Sequence, residues 1–389
     1  MDAQAPAVFL RSFSGIDDPR RHNVRHRFTD ILGIAVLAVM CRADDWDEVV
    51  VYGRANRAWL ATFLELPNGI PSVDTFARLF ARLDPAAFER AFVDWTASLA
   101  AASDGRLVAI DGKAMRHSFA HGWNKQMVHL VSAWCERNDL VLGQLAVDDK
   151  GNEITAVPRL LAMLDVRGAV VSIDAMGCQR EIAAQVVRQG ADYLLALKDN
   201  QPTLHARVRR IMDDVALDQA KGVAGGGGGG AFDYHEHGEA GHGRVETRRV
   251  WVTDDVACLG PAVLDEWAGL GSLVMVERTR QDLGDAQGRV TTERHCYISS
   301  LRGCPAERAG RLVRGHWSVE NRLHWRLDVC FGEDDSRLRK DHGAENMSRL
   351  RRIVLNKLKT DRSVKRMSLK TKRYRCSLDR QYLIDMLQQ

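Results

Sequence analysis

Two aspartates in this sequence close short apolar runs: Asp111 ends LVAID and Asp174 ends AVVSID, with nothing polar before them except Ser172. A third carboxylate, Glu320, lies in RGHWSVENRLHWRLDVCF beside Val319, at the boundary of an apolar stripe, with His316 and His324 one helical turn away on either side. Spacing alone does not single it out, because Asp328, Glu333, Asp334 and Asp335 are close by. Aspartates held side by side raise each other's pKa unless a cation lies between them, and Mg²⁺ takes carboxylate oxygens while keeping several waters. With a third carboxylate they could hold two ions about 4 Å apart, one activating an attacking oxygen and the other steadying the leaving oxygen of a phosphodiester. Turn formation is the alternative role for each strand-end aspartate.

The elements that must position these groups are legible from periodicity. From Arg106 onward, LVAID (107–111), MVHLVSAWC (127–135) and LVLGQLAV (140–147) predict three consecutive strands, and ITAVPRLLAML (154–164) a helix. AVVSID (169–174) predicts a fourth strand, REIAAQVVRQG a helix closed by Gly190, and DYLLALK (192–198) a fifth strand. This α/β order is that of a ribonuclease H-like mixed sheet with helices on both faces, in which the first and fourth strands are neighbours and their aspartates emerge together. Residues 1–100 read as an all-helical N-terminal domain. Thr29 or Asp30 can cap ILGIAVLAVMC, and after the turn Asn68-Gly69-Ile70-Pro71, SVDTFARLFARL carries an apolar stripe (Val73, Phe76, Leu79, Phe80, Leu83) opposite Arg78 and Arg82. That helix suits DNA reading or plain packing in a bundle. The core then divides into 101–202, a β-rich insertion over 203–305 that contains GGGGGG (225–230), a helical completion over 306–360 and a basic tail over 361–389.

Charge points the same way. The chain has 55 Lys+Arg against 51 Asp+Glu, yet residues 337–376 alone hold 15 against 3, and PRRHNVRHR (19–27) is a second basic patch. Such a block attracts polyanions, nucleic acid among them, although a solvated basic helix gives the same count. The longest nearly apolar run, Ile31 to Cys41, is too short to cross a bilayer and no leader opens the chain, so no membrane association and a cytoplasmic location are expected. Eight scattered cysteines without a C-x-x-C pair suggest reduced, mostly buried thiols.

Five segments in order, AIDGKAMRHS, VSIDAMGCQREIA, LLALKDNQPTL, GHGRVETRRV and HWSVENRLHWRLDVCFGEDDSRLRK, resemble bacterial insertion-sequence transposases of the branch that includes the H-repeat-associated proteins. FSGIDDPRRHNVRHRFTDIL and LPNGIPSVDTFARLF resemble the helical domain that precedes their catalytic core. The resemblance implies a DDE triad of Asp111, Asp174 and Glu320 that binds two Mg²⁺ (or Mn²⁺) for in-line attack on phosphodiesters by water and then a 3′-hydroxyl. It also implies double-stranded DNA as partner, both terminal inverted repeats and target DNA, bound by a homodimer. The Y-x2-R-x3-E-x6-K signature of the related larger group is absent, its offsets falling on Val313, His316 and Leu327, so Arg314, Arg322 and Arg326 become candidates to hold phosphates. Lys113 and Arg116, Lys198 with Asn200 and Gln201, and Arg244 in the alternating HGRVETR are further DNA-binding candidates, the last equally suited to a salt-bridged ladder. Trp251 or Trp267 could stack on a flipped base or pack in the core.

Three other functions share features with this one. A decayed or domesticated remnant would bind DNA without cutting it. A ribonuclease H-like nuclease would not need the β-rich insertion. Glycoside hydrolysis by paired carboxylates leaves the basic block unexplained.

Overall fold

The structure is a computed structural model that describes residues 9–388, apart from 23, 100–105, 119–126, 148–152, 223–230, 242, 285–287, 362 and 365. The N-terminal segment is helical, with α1 (Phe28–Met40), α2 (Trp46–Ala55), α3 (Val73–Arg82) and α4 (Pro85–Leu99) as its main elements. In α3, Phe76, Leu79 and Phe80 are buried while Arg78 and Arg82 face outward, as the stripe predicts. Asp30 does not cap α1. It stands inside the first turn, buried, and its carboxylate accepts from the backbone N–H of Leu66 at 2.9 Å and of Glu65 at 3.3 Å.

The sheet begins as an antiparallel meander of β1 (Leu107–Ala114), β2 (His129–Cys135) and β3 (Leu140–Ala146). Helix α5 (Glu153–Met163) then returns the chain to β4 (Val170–Ile173), parallel to β1, and α6 (Arg180–Arg188) returns it to β5 (Asp192–Leu197), parallel to β4. Each crossover buries its apolar stripe against one face of the sheet: Ala156, Val157, Leu160 and Leu161 of α5 and Ile182, Ala183 and Val186 of α6 share a core with Val108 and Ile110 of β1.

The β-rich segment expected as an insertion continues this same sheet. After α7 (Pro202–Ala220), strands β6 (Phe232–Gly241), β7 (Arg244–Thr253), β8 (Ser272–Asp282) and β9 (Val290–Ser299) form antiparallel hairpins, and β9 pairs with the free edge of β5. Nine strands result, in the order β3-β2-β1-β4-β5-β9-β8-β7-β6. Covering β5 removes an exposed edge from the core. The hexaglycine run lies outside the described residues.

The chain ends in α8 (Ala306–Val319), α9 (Trp325–Phe331), α10 (Gly343–Thr360), α11 (Leu369–Leu378) and α12 (Arg380–Gln388). Residues 361–389, expected as a basic tail, thus carry two helices, and Tyr382, Leu383, Met386 and Leu387 bury into one core with Phe9, Phe13, Ile31 and Leu32 of the N-terminal segment and Leu350 and Ile353 of α10. Much of the basic block is internal, although Arg337, Arg339, Lys340, Arg366 and Lys370 stay exposed. Arg349 pairs with Glu89 at 2.5 Å, Arg352 with Glu333 at 2.8 Å, Arg373 with Asp44 at 2.8 Å and Lys359 with Asp139 at 2.9 Å. A count of charge along the sequence could not reveal these partners, which come from elements far away in the chain. All eight cysteines are free, five of them buried, and no helix among the described residues is long and apolar enough to cross a membrane.

Candidate active site

Strand register sets the first two carboxylates. Ile110 of β1 lies directly opposite Ile173 of the parallel β4, so Asp111 and Asp174, each the next residue, stand side by side; β4 ends there, whereas β1, expected to close on Asp111, runs on along β2 to Ala114. Side chains alternate along a strand, which places Leu107, Ala109 and Asp111 on one face of β1 and Val170 and Ser172 on the same face of β4. Helix α8 covers that face: Ala309, Leu312 and Val313 pack on Leu107 and Val170, and buried His316 meets the Ser172 Oγ through its Nδ1 at 2.9 Å. Gly315 allows the helix to lie this close, since a Cβ there would fall 2.5 Å from Leu107 Cδ2. One turn later α8 passes into a π-helical turn, Glu320–His324, that begins on Glu320. Such turns widen the helix and re-aim its side chains, and they concentrate at functional sites.

The electrostatics bind the three together. Burial, then the negative charges of Glu320 and Asp174, push the Asp111 carboxyl up to about 7. Burial also raises Asp174, whose Oδ1 accepts from the backbone N–H of Met176 at 3.1 Å and Gly177 at 3.3 Å, so this residue also caps a turn. Burial, assisted by the charges of Arg352 and Lys113, drives His324 down to about 3 and keeps it neutral; its Nε2 stands 3.5 Å from Asp111 Oδ2. Carboxylate oxygens that repel one another in this way are the donor type a hard divalent cation takes. Among the described residues no three His, Cys, Asp or Glu side chains are already close enough to hold one ion.

The basic candidates divide into inward and outward groups. Lys113 is enclosed among Asp328, Glu333 and Asp334, where it links β1 to α9 and the following loop. Burial works against the ionised form of Glu333, yet Arg352, Lys113 and Arg351 together hold it down to about 2. Arg116 is exposed at 78% of its side chain, and Lys198 is exposed at the end of β5, where its charge reaches Asp174. Arg314 pairs with Glu239 at 3.1 Å, Arg322 lies 3.9 Å from Glu136, and Arg326 pairs with Asp139 at 3.2 Å. Arg244 lies 3.9 Å from Glu246, which Arg248 engages at 2.7 Å, forming the ladder that alternation along HGRVETR allows. Asn200 and Gln201 donate to the carbonyls of Ala175 and Cys178 and so brace the Asp174 turn. Trp251 and Trp267 are buried, and among the described residues the exposed indoles are instead Trp317 and Trp325, flanking the Glu320 turn. Glu153 was not singled out by the sequence. Its charge acts on both aspartates, and the only sequence sign of it is a carboxylate placed where a helix begins after the third strand.

A family model described as "Transposase DDE domain" matches residues 102–357, and one described as "DDE_Tnp_1-associated" matches residues 10–96. The chain belongs to the DDE transposase family. Among curated members of this family, "Putative transposase YncI" of Escherichia coli O157:H7 is 37% identical over 97% of this chain and 94% of its own length. "H repeat-associated putative transposase YhhI" of Escherichia coli K12 is 35% identical over 94% of this chain and 93% of its own. The family resemblance drawn from the five motifs is therefore correct. A solved piggyBac transposase in a synaptic complex with hairpin DNA superposes with a TM-score of 0.44 and 10% identity, covering 99% of this chain and 82% of that one.

Proposed function

We propose that this transposase cleaves and rejoins phosphodiesters at the ends of an insertion sequence, with Asp111, Asp174 and Glu320 as its catalytic carboxylates on a ribonuclease H-like core. The observation that carries the reading is the placement of Asp111 and Asp174 at matched positions of two adjacent parallel strands, where β4 ends beside β1, on the face where Glu320 raises Asp111. Two Mg²⁺ (or Mn²⁺) held by these carboxylates would activate the attacking oxygen and stabilise the leaving one. The donor set fits such ions in type and in mutual charge, and Glu320, exposed at the end of its helix, has the side-chain freedom to close on them. With its carboxyl pushed up to about 7, Asp111 would lose its proton on taking up such a cation. Asn200 and Gln201 keep the Asp174 turn in place, while Lys113 and Arg352 secure the segment after α9. Arg116 and Lys198, with exposed side chains beyond the ends of β1 and β5, suit contacts to DNA phosphates, and so does exposed Arg322, which reaches toward Glu136, whereas Lys113 is enclosed. Double-stranded DNA, as terminal inverted repeats and target, bound by two copies of the chain, belongs to the same reading.

The test is cleavage of a DNA duplex carrying the element's end by the purified chain with Mg²⁺. Parent protein should cut at the end, and Asp111→Ala, Asp174→Ala and Glu320→Ala should each bind the duplex without cutting. Equal cutting by all three variants would overturn the site assignment. Binding without cutting by the parent itself, under either Mg²⁺ or Mn²⁺, would mark a DNA-binding remnant.

A further inference from the structure

We infer that Glu153 is a fourth carboxylate of the catalytic site, set against the Asp111–Asp174 pair from the sheet face opposite Glu320, and that it helps to hold a divalent cation there. The inference rests on the two-metal reading above and extends its donor set.

Glu153 opens α5, the helix that packs on the face of β1 bearing Val108 and Ile110, and Gly112 continues that face. Its carboxylate pairs with His129 Nε2 at 2.8 Å and is 12% exposed. A Cβ on Gly112 would lie 2.0 Å from Glu153 Oε1 and 2.5 Å from its carboxyl carbon. Glycine is therefore what admits the carboxylate to the strand backbone one residue from Asp111. The four acids then form a series. Asp111 and Asp174 stand side by side, Glu320 lies on the helix that covers their face, and Glu153 closes on Gly112, the residue next to Asp111, from the other face.

His129, opposite Ala114 on the same face, takes up one oxygen of this carboxylate. Seating Glu153 over Gly112 adds a fourth negative charge where three already repel, a cost that a cation among them removes. A second observation points to a ligand beside Asp111, on the Glu320 side of the strand. The His324 side chain is 7% exposed, and its Nε2, without a hydrogen-bond partner, stands 3.5 Å from Asp111 Oδ2. A buried polar atom left unpaired in this way calls for a group the side chains themselves do not supply.

Calorimetric titration of the full chain with Mn²⁺ alone, in the absence of DNA, tests the inference without reading activity. Glu153→Gln keeps the shape of the side chain and should bind Mn²⁺ about 10- to 100-fold more weakly than the parent. Glu153→Asp, which withdraws the charge by one methylene, should also bind more weakly. The thermal unfolding midpoint of Glu153→Gln without metal should be no lower than the parent's. Parental Mn²⁺ affinity in either variant, measured beside an Asp111→Asn control that has lost binding, would overturn the role of Glu153 and leave the triad standing. Parental affinity in Asp111→Asn as well would instead overturn the two-metal reading itself.

Discussion

Replacing Asp111 by Asn should make the cation-free protein more stable than the parent, by a margin that grows with pH. Asp111 titrates at about 7 in the folded chain against an ordinary 3.8, so between these values the folded state holds a proton that the unfolded state has released. Stability therefore falls as pH rises: the contribution is fully present below the unfolded value and is lost as pH rises through about 7. The complete shift corresponds to about 4 kcal/mol, of which about 2 to 3 kcal/mol develops between about pH 5 and pH 8. With 19% of its side chain exposed, Asp111 is little screened by solvent. Asn stands in for the protonated acid at every pH and escapes the penalty. Urea unfolding of both proteins in chelator at about pH 5 and about pH 8 measures the two margins. An equal margin at both values, or a variant less stable than the parent at the higher one, would refute the argument. Added Mg²⁺ should stabilise the parent at the higher pH and leave the variant nearly unchanged, because only the parent offers the second aspartate.

Three further outcomes follow from the packing and the charges. Gly315→Val should force α8 away from Leu107, destabilise the fold by about 1–3 kcal/mol in urea unfolding, and lower DNA cleavage while DNA binding persists, because Glu320 is carried by that helix. Arg349→Ala leaves Glu89 buried without its partner and should cost about 3–5 kcal/mol by the same measurement. In DNA-binding titrations across salt concentrations, Arg116→Ala and Lys198→Ala should each reduce the salt slope by about 1, while Lys113→Ala, whose ammonium is enclosed by three acids, leaves it unchanged.

Local pattern revealed much of the site. The first five strands and the helices between them fall within a few residues of where alternation and 3.6 periodicity place them, because each is a short apolar element with its own boundary signals. Asp111 and Asp174 were visible for the same reason: a carboxylate that closes a buried apolar run stands out, even though β1 itself continues past Asp111 to Ala114. Glu320 was not separable from its acidic neighbours by spacing, since what distinguishes it is the approach of α8 to β1 at Gly315 and the π-turn, both of which are tertiary. Long-range pairing also hid the rest. The closure of β9 on β5, the burial of Arg349, Arg352 and Arg373 against distant acids, and the meeting of Glu153 with Gly112 all join residues that no local window contains.

The core shared by the first and last helices bears on how this transposase comes into being. Phe9, Phe13 and Ile31 find part of their cover on Tyr382, Leu383 and Leu387, so during synthesis the leading helices must wait for the trailing ones to leave the ribosome before that core can close. Helix α10 belongs to the same late assembly, and its Arg352 anchors Glu333 in the network that also grips Lys113, two residues beyond Asp111. The segment that steadies Lys113 is thus made more than two hundred residues after the strand that carries it. A nascent chain that has not yet made α10 would carry Asp111 and Asp174 without that support.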